Sequence, residues 1–267
     1  MTDEAGSLPE IRPRKTIEHL LVAADGMCWW CRASPATTGE HKYKASDLGR
    51  MIDGDTLVWF NDVGGLRHLK GRGAIQRDRH GVVKFAKSLC APCNNARSQP
   101  FDLAYEKFSN YIDAHPEMHQ QEGVDFTAVF GTPWRDQLLN LARYYVKHSG
   151  CQMVQQGIVI PGSLRAFLDG SEDMPDVHMG LVTTRLSQTP PFTKGLHISA
   201  GIIWIDPDFT EVRGCVFAVY IGAIGVRFWW QDGGIPEDRR SQFFHYPCPL
   251  LNRFTDDEAV AHGIPND

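Results

Sequence analysis

Apolar positions fall first at helical spacing and later in alternation, with one stretch of strand-like runs between. Ile17, Leu20, Leu21 and Ala24 lie three or four residues apart, which predicts a short helix over residues 16–24 that stops at Gly26. Residues 56–60 (Thr-Leu-Val-Trp-Phe) and 82–85 (Val-Val-Lys-Phe) read as strands, with a turn at Gly64-Gly65 and a break at His80-Gly81, so 56–89 is expected to be a β insertion. From Asp102, a candidate N-cap, one helix face carries Leu103, Ala104, Phe108, Tyr111 and Ile112 and ends before His115-Pro116. Thr132-Pro133-Trp134 opens a stronger helix with Leu138, Leu139, Leu141, Ala142, Tyr145 and Val146 inward, and 163–168 offers a shorter one. The rest is β-rich, with strands expected at 181–186, 197–206, 214–221 and 226–230 and turns at Asp206-Pro207 and Gly233-Gly234.

The polar segment around 115–125, with its Pro and Gly, divides this pattern in two. The expectation is an α+β protein: a domain over 1–114, a linker over 115–131, and a helix plus antiparallel β-rich domain over 132–267.

Composition narrows the class. No run approaches the roughly eighteen apolar residues of a membrane span, and Asp3, Glu4 and Glu10 precede any apolar stretch, unlike a secretory signal. The expected location is therefore cytoplasmic, without membrane contact. Seven cysteines, an odd number, argue for thiols or metal ligands over a disulfide framework. A net charge of -5 speaks against coating nucleic acid by bulk charge, but its distribution is uneven. Arg67, Lys70, Arg72, Arg77, Arg79, Lys84, Lys87 and Arg97 face the single acid Asp78 over 67–97, while acids predominate after Gln120. A local basic surface follows, with Arg67, Lys70, Arg72, Arg77 and Arg79 as candidate nucleic-acid contacts.

The chemistry concentrates near the N-terminus. Cys28-Trp29-Trp30-Cys31 and Cys90-Ala91-Pro92-Cys93 are two CxxC knuckles, and two-residue spacing lets a pair of thiolates reach one ion at about 2.3 Å. Two such pairs point to a closed structural zinc site on Cys28, Cys31, Cys90 and Cys93. A thioredoxin-like dithiol is the competing reading; no βαβ pattern surrounds Cys28 and Cys31, and a second pair exists. Between the knuckles stands Glu40-His41, and directly after the second comes Asn94-Asn95-Ala96-Arg97-Ser98.

This order of motifs resembles the zinc-containing branch of the HNH, or ββα-metal, endonuclease family over roughly residues 16–108. The resemblance implies a hairpin and helix that hold one catalytic divalent ion, magnesium or manganese, against a scissile phosphate. It places the general base on His41, ion ligands on Glu40 and Asn94, with Asn95 as the fallback, and a phosphate-binding cation on Arg97. The asparagine usually found before the second knuckle is replaced by Phe85-Ala86-Lys87-Ser88-Leu89, so the brace for the histidine-bearing loop is expected from Asn61 or elsewhere.

The function implied is hydrolysis of nucleic-acid phosphodiesters, DNA before RNA, in the setting of restriction, phage defence or a mobile element. One such site cuts one strand, so a double-strand break needs a homodimer or two nicks. The competing classes are a zinc-stabilised nucleic-acid binder without chemistry and a scaffold. The acidic C-terminal half, with Trp204, Trp229 and Trp230 on strands, is a candidate surface for a protein or ligand partner; Cys151, Cys215 and Cys248 show no ligand spacing and read as core residues.

Overall fold

The computed structural model describes residues 14–51, 56–59, 67–70, 83–188, 196–199, 201–236 and 243–255. Helices and strands are both present, as expected of an α+β protein. The predicted first helix is a 3-10 turn, Arg14–Leu20, followed by helix α1, Ala45–Met51. Strands β1, Thr56–Trp59, and β2, Arg67–Lys70, pair antiparallel with Thr56 opposite Lys70, so the partner of the expected strand at 56–60 is 67–70, while 83–85 forms only an isolated bridge from Lys84 to His41. A one-turn helix α2, Ala91–Asn94, carries the second knuckle, and α3, Gln99–Ala114, follows it. Ser98 takes the cap position of α3, so Asp102 lies in its first turn instead of capping it. Its carboxylate is thereby free to meet lysines.

Residues 115–131, read above as a linker, hold the 3-10 turn Pro116–Gln120 and helix α4, Phe126–Phe130, whose cap Asp125 accepts a hydrogen bond from the Thr127 amide at 2.8 Å. They place Met118, Val124, Phe126 and Phe130 in a single buried cluster that also holds Cys28, Phe108, Tyr145, Phe228 and Leu251.

Helix α5, Trp134–Gln156, is the axis of the molecule, and α6, Gly162–Leu168, packs beside it. Residues 144–151 of α5 are buried on every side, polar ones included. Gly157, at φ 81°, ends it in the left-handed cap that glycine favours. Gly150 lets it touch the first knuckle, since a Cβ there would stand 2.3 Å from the Trp29 ring.

The C-terminal part folds into a six-stranded sheet. Its strands are β3, Val177–Thr184; β4, Leu196–Ile198; β5, Ile202–Ile205; β6, Val212–Ile221; β7, Ile224–Gln231; and β8, Leu251–Phe254. The order is β4-β6-β7-β3-β8, with β5 also on β6. The run predicted at 197–206 is split: β4 pairs the end of β6 and β5 its beginning, along one edge. β6 and β7 are buried nearly throughout because helices cover one face and the sheet curls over the other, which is why their apolar runs are continuous. The sheet departs from the expected antiparallel pattern at β8, which runs parallel to β3. β7 and β8 flank β3 on its two sides, β7 antiparallel and β8 parallel to it, so β8 is not the hairpin partner of the strand before it in sequence. No helix among the described residues is long and apolar enough to cross a membrane.

Candidate metal centre and active site

Two extended segments, 38–42 and 83–89, lie side by side although some forty residues separate them in sequence. Thr38 bridges Leu89 and His41 bridges Lys84, both antiparallel. Hydrogen bonds run from the Thr38 amide to the Leu89 carbonyl (2.9 Å), from Phe85 to Glu40 (2.9 Å) and from Lys42 to Val83 (2.8 Å). Gly39 is required for this pairing, because a Cβ there would meet the Phe85 carbonyl oxygen at 2.3 Å. The pairing draws the two CxxC segments, one before and one after it, to the same point.

There the sulfurs of Cys28, Cys31, Cys90 and Cys93 all lie within 4.8 Å of one another. Cys31 Sγ and Cys90 Sγ are 3.8 Å apart, the edge of about 3.8 Å that a tetrahedron with bonds of about 2.3 Å requires. These four cysteines are positioned to bind a metal ion. The first knuckle closes through the Arg32 amide on the Cys28 carbonyl (2.9 Å), which puts Arg32 at φ 57°. That left-handed position costs a non-glycine residue about 1 kcal/mol, and the Arg32 side chain is held there by Asp25. Burial pushes the Cys28 and Cys93 thiols up. Burial also acts on Cys31, but the Ala33 amide and the neighbouring sulfurs outweigh it and bring Cys31 down to about 7.

A second layer fastens the centre. Arg97 donates to Cys93 Sγ at 3.4 Å, pairs with Asp169, and lies over the Trp30 ring at 4.4 Å. The Trp30 indole N–H also donates to Asp169, at 2.7 Å. The residue placed on phosphate by resemblance thus sits against the cysteines.

Glu40 and His41 stand on the paired segment above α3 and α5. The Glu40 carboxylate is buried and meets the ammonium of Lys147 at 3.1 Å; Lys147, fully buried on α5, also reaches Ser98 Oγ at 3.2 Å and Asp102 Oδ1 at 3.4 Å. Lys44 pairs with the same Asp102 oxygen. Burial raises the Glu40 pKa, and Lys147 only partly offsets it. Burial opposes the charge on Lys147, yet Glu40 and Asp102 outweigh it and hold its pKa up. His41, half-buried, is pushed below the usual histidine value first by burial, then by Lys84, Lys44 and Lys147. It is therefore neutral at pH 7. The Asn94 side-chain oxygen is buried without a hydrogen-bond partner, while the Asn94 backbone N–H donates to the Cys90 carbonyl at 3.0 Å.

Sequence reasoning missed Lys147, His148, Asp102 and Asp169. His148, next to Lys147, is buried with its Nε2 3.1 Å from the Lys42 carbonyl oxygen, so that nitrogen carries the proton and donates. The signal available was a Lys-His pair inside the apolar stretch of a long helix, where a lysine is rarely buried unless paired. Arg67 and Lys70 lie on β2; Arg72, Arg77, Arg79 and the expected brace Asn61 lie outside the described residues.

Burial, with the charges of Lys147 and Lys42, depresses the His148 pKa to about 4 against the bond to Lys42. The unfolded chain takes up this proton near pH 6.5 and the folded chain only near 4, so the associated stability is present above pH 6.5 and drains as pH falls through 4. The full loss is about 3 kcal/mol, with His41 acting in the same direction. Urea midpoints at pH 7 and pH 4.5 measure it, and equal midpoints would refute a neutral buried His148.

No protein-family model matches this chain, and neither a curated protein nor a solved structure matches it.

Proposed function

We propose that this chain is an HNH-type endonuclease that hydrolyses nucleic-acid phosphodiesters, DNA in the first instance, with zinc on the four cysteines and His41 as general base. The observation that carries the reading is the placement of His41 on a paired segment opposite Lys84, with the cysteine centre at one end and α3 following. Neutral imidazole accepts the proton of an attacking water without further tuning. Lys44 and Lys84, whose charges already act on His41, bring positive potential to the place a phosphate would occupy. Closed tetrahedral thiolate coordination leaves zinc no position for substrate, so zinc holds the fold and takes no part in the reaction.

For a catalytic magnesium or manganese ion, the resemblance would draw on the Asn94 oxygen, which is buried without a partner, and on the Glu40 carboxylate, which would have to exchange its pairing with Lys147 for the cation. Bound there, a hard cation would stabilise charge on the phosphate and the leaving oxygen. The chain's own part is to present those oxygens and to keep His41 deprotonated.

Purified protein carrying about one zinc per chain is expected to nick supercoiled plasmid in magnesium and to stop in EDTA with its zinc retained. His41→Ala is expected to lower the rate about 10²- to 10⁴-fold without losing zinc. A His41→Ala protein that cuts like the wild type removes His41 from the chemistry. A second reading, binding without cutting, draws on one observation: Lys147 already neutralises Glu40. It predicts salt-sensitive nucleic-acid binding by wild type and His41→Ala alike, with no nicking by either.

A further inference from the structure

We infer that helix α5, far downstream of the knuckles, is part of the active site: His148, assisted by Lys147, is a positioning residue that fixes the segment bearing His41. The inference deepens the nuclease reading and rests on it. Three consecutive residues of that segment are involved. Lys147 holds the Glu40 carboxylate at 3.1 Å, and His148 Nε2 donates to the Lys42 carbonyl at 3.1 Å, so His41 is gripped on both sides by two adjacent residues of one helix. The opposite segment is held by the same face of α5. The Phe85 ring meets His148 edge-on with centroids 4.8 Å apart, and Ser88 Oγ donates to Cys151 Sγ at 3.4 Å. Cys151 lies one helical turn beyond Lys147, and the Trp29 indole N–H reaches it at 3.5 Å. The helix therefore spans the first knuckle, the His41 segment and its partner strand.

Each of these groups is buried on α5 and none is placed to touch a phosphate. Their effect passes through geometry. A base displaced by a fraction of an ångström loses its line to the attacking water, which lowers turnover more than binding. A carbonyl held by a ring N–H is a stiffer support than one left to solvent, because the imidazole is itself packed between Phe85 and Tyr144.

The test compares His148→Leu with His148→Gln in the full chain. Gln can return an N–H to the Lys42 carbonyl; Leu fills the space without one. His148→Leu is expected to lower kcat about 10- to 100-fold with KM within about twofold of wild type, at unchanged zinc content, and His148→Gln to restore most of the loss. Equal loss in both variants, or wild-type kcat in His148→Leu, overturns the positioning role. A measurement free of activity accompanies it: the His148 ring Nε2 proton in the zinc-loaded wild-type protein is expected as a solvent-protected NMR resonance, and its rapid exchange would overturn the inference even if the Leu variant failed to fold. A wild-type protein that cuts no nucleic acid brings down the nuclease reading; one that cuts alongside an equally active His148→Leu brings down only the positioning role.

Discussion

Cys90→Ser is expected to abolish binding of the zinc proposed on the four cysteines and to unfold the protein at room temperature. Cys90 is buried, and its Sγ stands at a tetrahedral edge from Cys31, so the three remaining thiolates leave an open, strained site. Structural zinc contributes an apparent 10–16 kcal/mol in isolated fingers, about as much as the whole stability of roughly 5–15 kcal/mol of a typical domain. The first knuckle has one short turn and the second a single helical turn, while the cysteines and Trp29 and Trp30 belong to the same buried cluster as Phe101, Tyr145 and Phe167. Loss of the ion therefore exposes two tryptophans and breaks into the core shared with α5. Zinc analysis by mass spectrometry and near-ultraviolet circular dichroism check this together. A Cys90→Ser protein that melts with the wild type and still carries one zinc per chain would show that the four sulfurs are not the metal site.

What the sequence reveals here depends on how far apart the partners lie. Each CxxC is a local spacing and can be read directly; so can the periodicity of α3 and α5 and the apolar run of β6. The pairing of 38–42 with 83–89 is not local, because its register is set by backbone bonds across an insertion and by a Gly39 that alone permits the approach to Phe85. The resemblance assigns Arg97 to a phosphate, yet its carboxylate partner, Asp169, lies seventy-two residues on. Asp102 looks like a helix cap until Ser98 takes that place and Lys44 and Lys147 converge on it. Lys147 and His148 stand within the apolar stretch of α5, and nothing in the helical period says that Glu40 and the Lys42 carbonyl wait there. Burial of a charge is decided by its partner, and the partner comes from another part of the chain.

Lys147→Met is expected to cost about 3–5 kcal/mol at pH 7, while Lys147→Met combined with Glu40→Gln recovers most of it. The single change leaves the Glu40 carboxylate, 5% exposed, without its ion-pair partner and with only the weaker influence of Lys44. Asp102 is less affected, because it is partly open to water and keeps Lys44. The pair itself contributes less than the single variant suggests, since taking both charges out of water offsets much of their attraction. The double variant, which buries an amide and a thioether, isolates that difference. The direction with pH also distinguishes the cause. Glu40 already has a folded pKa above its ordinary value, and removal of Lys147 raises it further. A carboxyl with a raised folded pKa favours the folded state below its unfolded pKa, and that contribution is lost as pH rises. The penalty of Lys147→Met relative to wild type should therefore be largest at neutral pH and shrink toward pH 4. Lost packing alone would give a penalty independent of pH, and urea midpoints of wild type, single and double variants at pH 4.5 and 7 separate the two.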